Sequence, residues 1–428
     1  MKRTAQIAAG IAAAAIAVPM TATTASAATV APAARTAAQK PAPVDLAAFT
    51  PVAQGVTDVT SPVDGIAYAL DATGLVRYTR SATGAVASTR IAVPGIDAGA
   101  QLESGGGVTY LLTDALYTVK GTTVTRVAAL PTTMPEGVKR LGDMLLAVDT
   151  DGSAWVARVG DDGTPNIMGG TAWFEHLVGS AWVATPLVHR ITPGLLDARV
   201  EYGVPRMVLA TAAMGQIENS YRFVGGAWSA PTAAFASRGG ILIDSFSVTS
   251  ASATDYTTWG YASSLVGQNL VVEGRCTHVV NGTTSTCIPP SWPVSAAVRL
   301  GDGSVVLGGQ TVSANQTAPG FALVTTPGAT PKPVNGAVGD GVQQLVAAPT
   351  GSVVWAVTQT GSRFHRQHAT TTTLQVMGAP AASTPTKPTP KPKPKPKHLP
   401  KPKKATRPVH PTHPHATPVA HRAAHGGR

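Results

Sequence analysis

The chain predicts an all-β fold, and three observations carry that prediction. Gly is frequent, Val, Thr and Ala dominate the central part, and aromatic residues are few. After residue 27 no long apolar stretch repeats every 3.6 residues, which argues against a packed helical body. Short alternating runs end instead in Gly, Asp-Gly or Pro-Gly, the pattern of strands closed by tight turns.

Those turns recur. One unit runs through residues 56–65, 66–74, 75–84 and 85–95, four short strands with a turn after each. A second places residues 108–114 against 115–119, and a third places 144–152 against 153–157. The central turn of the third lies 78 residues after that of the first, a period of about 39. Another unit pairs 296–303 with 304–309, and the last reads as four strands at 343–351, 352–361, 362–371 and 372–378. Between about residues 160 and 293 the repeat is less regular and holds two long units or three short ones.

A four-stranded unit near 40 residues is the size of a propeller blade. One such meander cannot bury both of its faces. Packing units around an axis buries them against one another, and ring closure limits free edges. Residues 44–378 therefore resemble the β-propeller superfold, and the resemblance implies about seven blades, with six to eight as the range. Two β-sandwiches in tandem would need a linker, and none interrupts residues 56–378. The resemblance stops short of a named family. The Gly-His and Trp-Asp signature of WD40 repeats is missing. Gly308-Gly309, and Gly225-Gly226 with Trp228, resemble kelch diglycines without the rest of that pattern. The run from Asp149 to Trp155 resembles a sialidase Asp-box with the wrong spacing. A superfold alone implies no function.

The N-terminus has the form of a secretory signal peptide over residues 1–27. Lys2 and Arg3 precede an apolar run at 7–18, and Ala25-Ser26-Ala27 offers a small-residue cleavage site. The run is shorter than the ~20 residues that span a bilayer. Residues 28–43, rich in Ala, Pro and Thr, form a lead-in expected to be disordered. No later stretch reads as a membrane span, and no sorting signal closes the chain. The expected location is extracellular or cell-wall associated.

The two cysteines agree with an oxidising compartment. Cys276 and Cys287 flank Asn281-Gly282 symmetrically. Asn-Gly favours a two-residue type I′ hairpin, which places the cysteines opposite each other, with Cα atoms ~5.5 Å apart. A disulfide accepts that separation. Asn281-Gly282-Thr283 and Asn315-Gln316-Thr317 are also glycosylation sequons, of little weight beside an Ala-rich signal of bacterial style.

Net charge is confined to the end. Residues 384–428 hold eight Lys, three Arg and no acid, which equals the +11 of the whole chain. Residues 28–383 carry twenty basic residues against all 22 acids and are near neutral. Residues 379–428 read as a disordered, proline-rich cationic arm. The alternation Lys391-Pro392-Lys393-Pro394-Lys395-Pro396-Lys397 favours extended polyproline II. Lys387, Lys391, Lys393, Lys395, Lys397, Lys401, Lys403, Lys404 and Arg407 are the residues expected to meet anionic cell-wall polymers or a membrane surface. Histidines at 398, 410, 413, 415, 421 and 425 would add charge in mild acid. Such arms resemble chromatin-linker tails, but an export signal argues against intracellular nucleic acid as partner.

No strong catalytic motif is present: no H-E-x-x-H, G-x-S-x-G, Cys-x-x-Cys or P-loop. The sequence assigns no catalytic, cofactor or metal residue. His365 and His368 are three apart on an expected strand and so point to opposite faces. His189 and His278 read as structural or surface residues. Glu175-His176 would serve acid–base chemistry only at the central channel. Asp149, Asp151, Asp161 and Asp162 lie near turn glycines and read first as turn residues, although adjacent turns gathering them could hold Ca²⁺. Trp155 and Trp355 read as blade packing. Trp173, Trp182, Trp228, Trp259 and Trp292 fall in the long central units, and Trp182, Trp228 and Trp259 are the expected ligand surface. The expected protein is a monomeric, cell-surface binding or scaffold propeller with an unknown protein or glycan ligand. The alternative is a propeller enzyme, a lyase or hydrolase acting on extracellular polysaccharide.

Overall fold

The computed structural model describes residues 48–377 apart from Pro94, Ala98, 164–169, 191–192, 212–217, 230–231, 234–245, 267–268, 313–315 and 361–370. The expected signal peptide, the whole lead-in and the cationic tail lie outside the described residues, as do His365 and His368. No helix among the described residues is long and apolar enough to cross a membrane.

The chain forms a seven-bladed β-propeller, each blade an antiparallel meander. Blade one is Val56–Val63, Ile66–Asp71, Gly74–Arg80 and Val86–Ile91. Blade two is Gln101–Gly105, Val108–Leu112, Ala115–Lys120 and Thr123–Ala129. Blade three is Arg140–Val148, Ala154–Asp161 and Gly170–Val178, with a fourth strand in two pieces, Ala181–Ala184 and Val188–Arg190. Blade four is Pro193–Glu201, Val204–Thr211 and Glu218–Val224, again with a divided fourth strand, Ala227–Trp228 and Thr232–Ala233. Blade five is Phe246–Ser252, Asp255–Val266, Asn269–Val280 and Thr283–Thr286. Blade six is Val294–Arg299, Val305–Gly309, Phe321–Val324 and Lys332–Val334. The irregular stretch thus contains two long blades, four and five, after the end of blade three.

Blade seven corrects the sequence reading. Its first three strands are Gly341–Ala347, Val354–Thr360 and Thr371–Met377, but its fourth is Thr50–Gln54 from the other end of the body. Thr50 lies opposite Val376 and Gln54 opposite Thr373. The two ends of the propeller share one sheet, so the ring closes by backbone hydrogen bonds and the last blade does not supply all four strands itself.

The first strand of each blade touches the first strands of its two neighbours, so these seven strands form the inner ring. The cores lie between blades, as the packing argument requires. Leu70, Leu75, Leu102 and Leu111 fill the junction of blades one and two. Leu112, Leu116, Leu146 and Val148 fill the next. Trp155, Phe174, Met207 and Leu209 join blades three and four. Trp259, Cys276, Trp292 and Leu307 join five and six. Phe321, Val342 and Leu345 join six and seven with Phe49, and Val59, Tyr78, Trp355 and Leu374 join seven and one. A fully buried side chain of this kind contributes about 1.5–3 kcal/mol. The bland reading of Trp155 and Trp355 as blade packing holds.

Close approach explains one diglycine. A Cβ on Gly308 would meet Val342 at 2.7 Å, and one on Gly309 would meet the Trp292 ring at 2.5 Å. Gly225-Gly226 has a different cause, since both have positive φ in a hairpin turn.

Alternating strand direction sorts the connections onto two ends. Links between first and second strands, and between third and fourth, are short turns on one end. Links between second and third strands, and from one blade to the next, emerge on the other and include the longest ones.

Candidate functional site

The inner ring carries polar side chains, and they are engaged between blades. The innermost strand of each blade has one unpaired edge, so its N–H and C=O groups need partners. Gln344 of blade seven accepts from the Val59 amide at 3.1 Å and donates to the Val59 carbonyl at 2.9 Å. Asp58 accepts from the Leu102 amide at 2.7 Å. Gln101 donates to Met144 O and accepts from Leu146 N, both at 2.8 Å. Arg199 donates to Val248 O, Ser247 donates to Ala297 O, and Ser295 donates to Val342 O. Several of these residues sit at irregularities, where Thr57, Leu196, Ser295 and Gln343 are extra residues on the inner strands. A bulge re-aims the side chains beside it. A cavity beside Asp58, Gln101 and Glu103 measures about 20 Å³, room for a single water.

The junction of blades four and five differs from the rest. The described residues form no apolar cluster there. Arg199 lies directly opposite Arg206, and Arg206 directly opposite Arg222. Like charges in that arrangement destabilise a sheet. The Tyr256 ring of blade five answers them, 3.8 Å from Arg206 Cζ and 4.8 Å from Arg222 Cζ, a cation–π arrangement. Asp197 pairs with Arg199 at 3.1 Å. Burial opposes charge on Arg199, but Asp197, Glu201 and Glu103 outweigh it and raise its pKa. Arg206 is 4% exposed. Burial, with the neighbouring Arg222 charge and against the pull of Glu201, holds its pKa down at about 10.

A pocket of about 130 Å³ opens between blades five and six, at the end of the short turns. Two cross-strand rows build it. On blade five, Thr249 pairs with Thr257 and Thr257 with His278. On blade six, Arg299 pairs with Val305 and Val305 with Val324. Residues two apart on a strand share a face, so Asp255 joins the first row. His278 Nε2 lies 2.9 Å from Asp255 Oδ1. A carboxylate only accepts, so Nε2 donates and Nδ1 remains available. Arg299 makes no hydrogen bond or ion pair among the described residues. Its guanidinium lies over Gly303, where a Cβ would sit 3.1 Å from Nη2. Trp259 and the Cys276–Cys287 disulfide pack in the cluster beneath. The disulfide has a Cα separation of 5.5 Å, and Asn281 and Gly282 both have positive φ, as the I′ turn requires.

The expected ligand surface is redistributed. Trp259 is fully buried, donates to Thr249 Oγ1 at 3.0 Å, and lines the pocket between blades five and six from the core side. Trp173 and Trp292 are core residues as well. Trp182 and Trp228 are partly exposed, and each ties its blade to the preceding one: Trp182 donates to Ala129 O at 2.8 Å and Trp228 to Pro186 O at 2.7 Å.

Glu175 and His176 do not reach the channel. They sit on the third strand of blade three and, as neighbours, face opposite ways. Glu175 accepts from Trp173 Nε1 at 3.1 Å and lies 3.6 Å from Arg158; burial raises its pKa. His176 stacks on Trp155 with ring centroids 3.9 Å apart. Burial lowers its pKa, against Asp151 and Asp149. The four aspartates do not converge either. Asp149 and Asp151 precede the eight-residue strand Ala154–Asp161, whereas Asp161 and Asp162 close it. At ~3.4 Å per residue the groups are roughly 25 Å apart. Asp149 instead accepts from the Gly203 amide of blade four at 2.7 Å.

His278, Asp255 and Arg299 were not singled out together by sequence reasoning. Two residues separate Val266 from Asn269, and that hairpin fixes Thr257 opposite His278. Arg299 has no such local signal, because only blade packing brings it near.

No protein-family model matches the chain, and no curated protein matches it in sequence. Solved structures do share its arrangement. An oligogalacturonate lyase in complex with manganese is 10% identical with a TM-score of 0.46, over 79% of this chain and 96% of that one. The polysaccharide lyase Uly1 is 12% identical with a TM-score of 0.45, over 75% and 89%. The propeller domain of the Trilobed protease from Pyrococcus furiosus is 8% identical with a TM-score of 0.41, over 76% and 94%. The likeness is one of scaffold.

Proposed function

We propose that this is a secreted binding propeller displayed at the cell surface, held there by its cationic tail. The observation that carries the binding reading is the use made of the inner-ring polar groups. Asp58, Gln101, Arg199 and Gln344 hold adjacent blades together and are not left to converge on a substrate. The pocket between blades five and six supports the same reading. Its one carboxylate, Asp255, is engaged with His278, whereas glycosidic hydrolysis ordinarily needs two carboxyl groups across the bond. Its volume is below the ~300 Å³ at which sites for whole small molecules begin, so it suits one unit or end group of a larger ligand.

In this reading Lys387, Lys391, Lys393, Lys395, Lys397, Lys401, Lys403, Lys404 and Arg407 supply retention, and the propeller supplies recognition. The test compares the full chain with one lacking residues 384–428 on isolated anionic walls. Retention that depends on the tail, weakens with salt and strengthens from pH 7.5 to 5.5 is expected. Retention indifferent to tail and salt overturns the anchor. Incubation with acidic and neutral polysaccharides separates binding from turnover: shortened chains or new unsaturated ends would establish the enzyme instead.

A further inference from the structure

The pocket between blades five and six has two chemically distinct sides. Blade six contributes Arg299, a planar fork of N–H donors with no partner among the described residues. Glycine at 303 leaves room for that fork to lie flat. Blade five contributes the second oxygen of Asp255, an acceptor, and the second ring nitrogen of His278. Between them Val305, Val324 and Pro327 form an apolar wall.

From this arrangement we propose that the pocket binds a sugar acid, the uronate unit of an extracellular polysaccharide, with its carboxylate on Arg299 and its hydroxyls on Asp255 and His278. The inference rests on the binding reading above and names the ligand class for it. Three features select that class. A guanidinium matches a carboxylate by two parallel hydrogen bonds. Hydroxyls both donate and accept, so they suit the Asp255 carboxylate and the second ring nitrogen of His278, and a sugar ring presents several of them beside its carboxylate. The third feature is size and charge. The pocket measures about 130 Å³ and opens to solvent, so it can take part of a sugar unit while the rest of the chain stays outside. One guanidinium opposed by one carboxylate suits a monoanion better than a phosphate dianion, which Asp255 would repel.

The test titrates the full chain by calorimetry with glucuronate, glucose and glucose 6-phosphate at fixed ionic strength. Glucuronate is expected to bind at least roughly tenfold more tightly than either, because a site built for hydrogen bonding discriminates against analogues that lack the group. Arg299→Gln, which keeps the tail intact, should abolish that preference, and Arg299→Lys should restore part of it. Equal binding of glucose and glucuronate, tighter binding of the phosphate, or an unchanged preference in Arg299→Gln overturns the proposal. Wall retention by the tail is read separately. Its loss with glucuronate preference intact leaves this inference standing, and the reverse result removes this inference alone.

Discussion

The indole N–H of Trp228 donates to the Pro186 carbonyl oxygen at 2.7 Å and ties the outer edge of blade four to that of blade three. The ring also packs on Phe174 and Phe223, with centroids 6.0 and 5.2 Å away. Trp182 repeats the device one junction earlier, through Ala129. Trp228→Phe keeps an aromatic ring and loses the donor, so it should cost about 0.5–1 kcal/mol in denaturant unfolding. Trp228→Ala also loses the ring contacts and should cost roughly 2–3 kcal/mol, below the value for a fully buried Trp. Neither change should alter glucuronate binding at the distant pocket. A loss of binding without a loss of stability would return Trp228 to the ligand surface.

The disulfide acts on the strand that carries His278. Cys276 is two residues before it on the same face of blade five, and Cys287 anchors the returning strand. Replacing both cysteines by Ser should cost at most about 2–3 kcal/mol, the loop-closure value for so short a loop. The effect should be local. Amide exchange between residues 276 and 287 should accelerate while blade one stays protected. Uniform acceleration around the ring would mean that the hairpin is not an independent unit.

How much of this was legible depended on range. Turn chemistry is local, so the spacing of Asp-Gly and Gly turns revealed the blade period, and Asn281-Gly282 fixed the pairing of Cys276 with Cys287. The closing strand was not legible. Thr50–Gln54 is short, and its partner Leu374 is more than three hundred residues away, so nothing nearby marks it as part of blade seven. The surroundings of the tryptophans were not legible for another reason. Whether Trp259 or Trp228 faces a core depends on which side of its strand meets the next blade, and alternation gives two sides without naming either. The pocket needed both kinds of knowledge, hairpin register for Thr257 and His278 and blade packing for Arg299.

His176 gives a pH test. Its ring stacks on Trp155 in a partly buried site, and burial lowers its pKa below the ordinary 6.5. A depressed folded-state pKa contributes stability above the unfolded value, which is lost as pH falls through the folded one. His176→Phe keeps a stacking ring and removes that loss. The melting temperature of the variant minus that of the native chain should therefore rise between pH 7 and pH 5. A difference that is flat or falls with acidification would show that His176 is not held neutral.

Arg206 tests the polar seam. It is buried between Arg199 and Arg222, its Nε and Nη2 have no hydrogen-bond partner among the described residues, and burial with the Arg222 charge depresses its pKa. The Tyr256 ring and the pull of Glu201 offset part of that cost. Replacing a poorly satisfied buried charge by an apolar residue of similar length is often neutral or stabilising by about 1–4 kcal/mol. Arg206→Met should thus leave the unfolding midpoint unchanged or raise it, by adding apolar contact to a junction that lacks the cluster found between the other blades. Arg222→Met should do less well, because Arg222 also donates to Ala253 O at 2.5 Å. A fall of more than about 2 kcal/mol in Arg206→Met would mean that the Tyr256 and Glu201 contacts outweigh desolvation. The seam would then hold blades four and five together by its polar contacts.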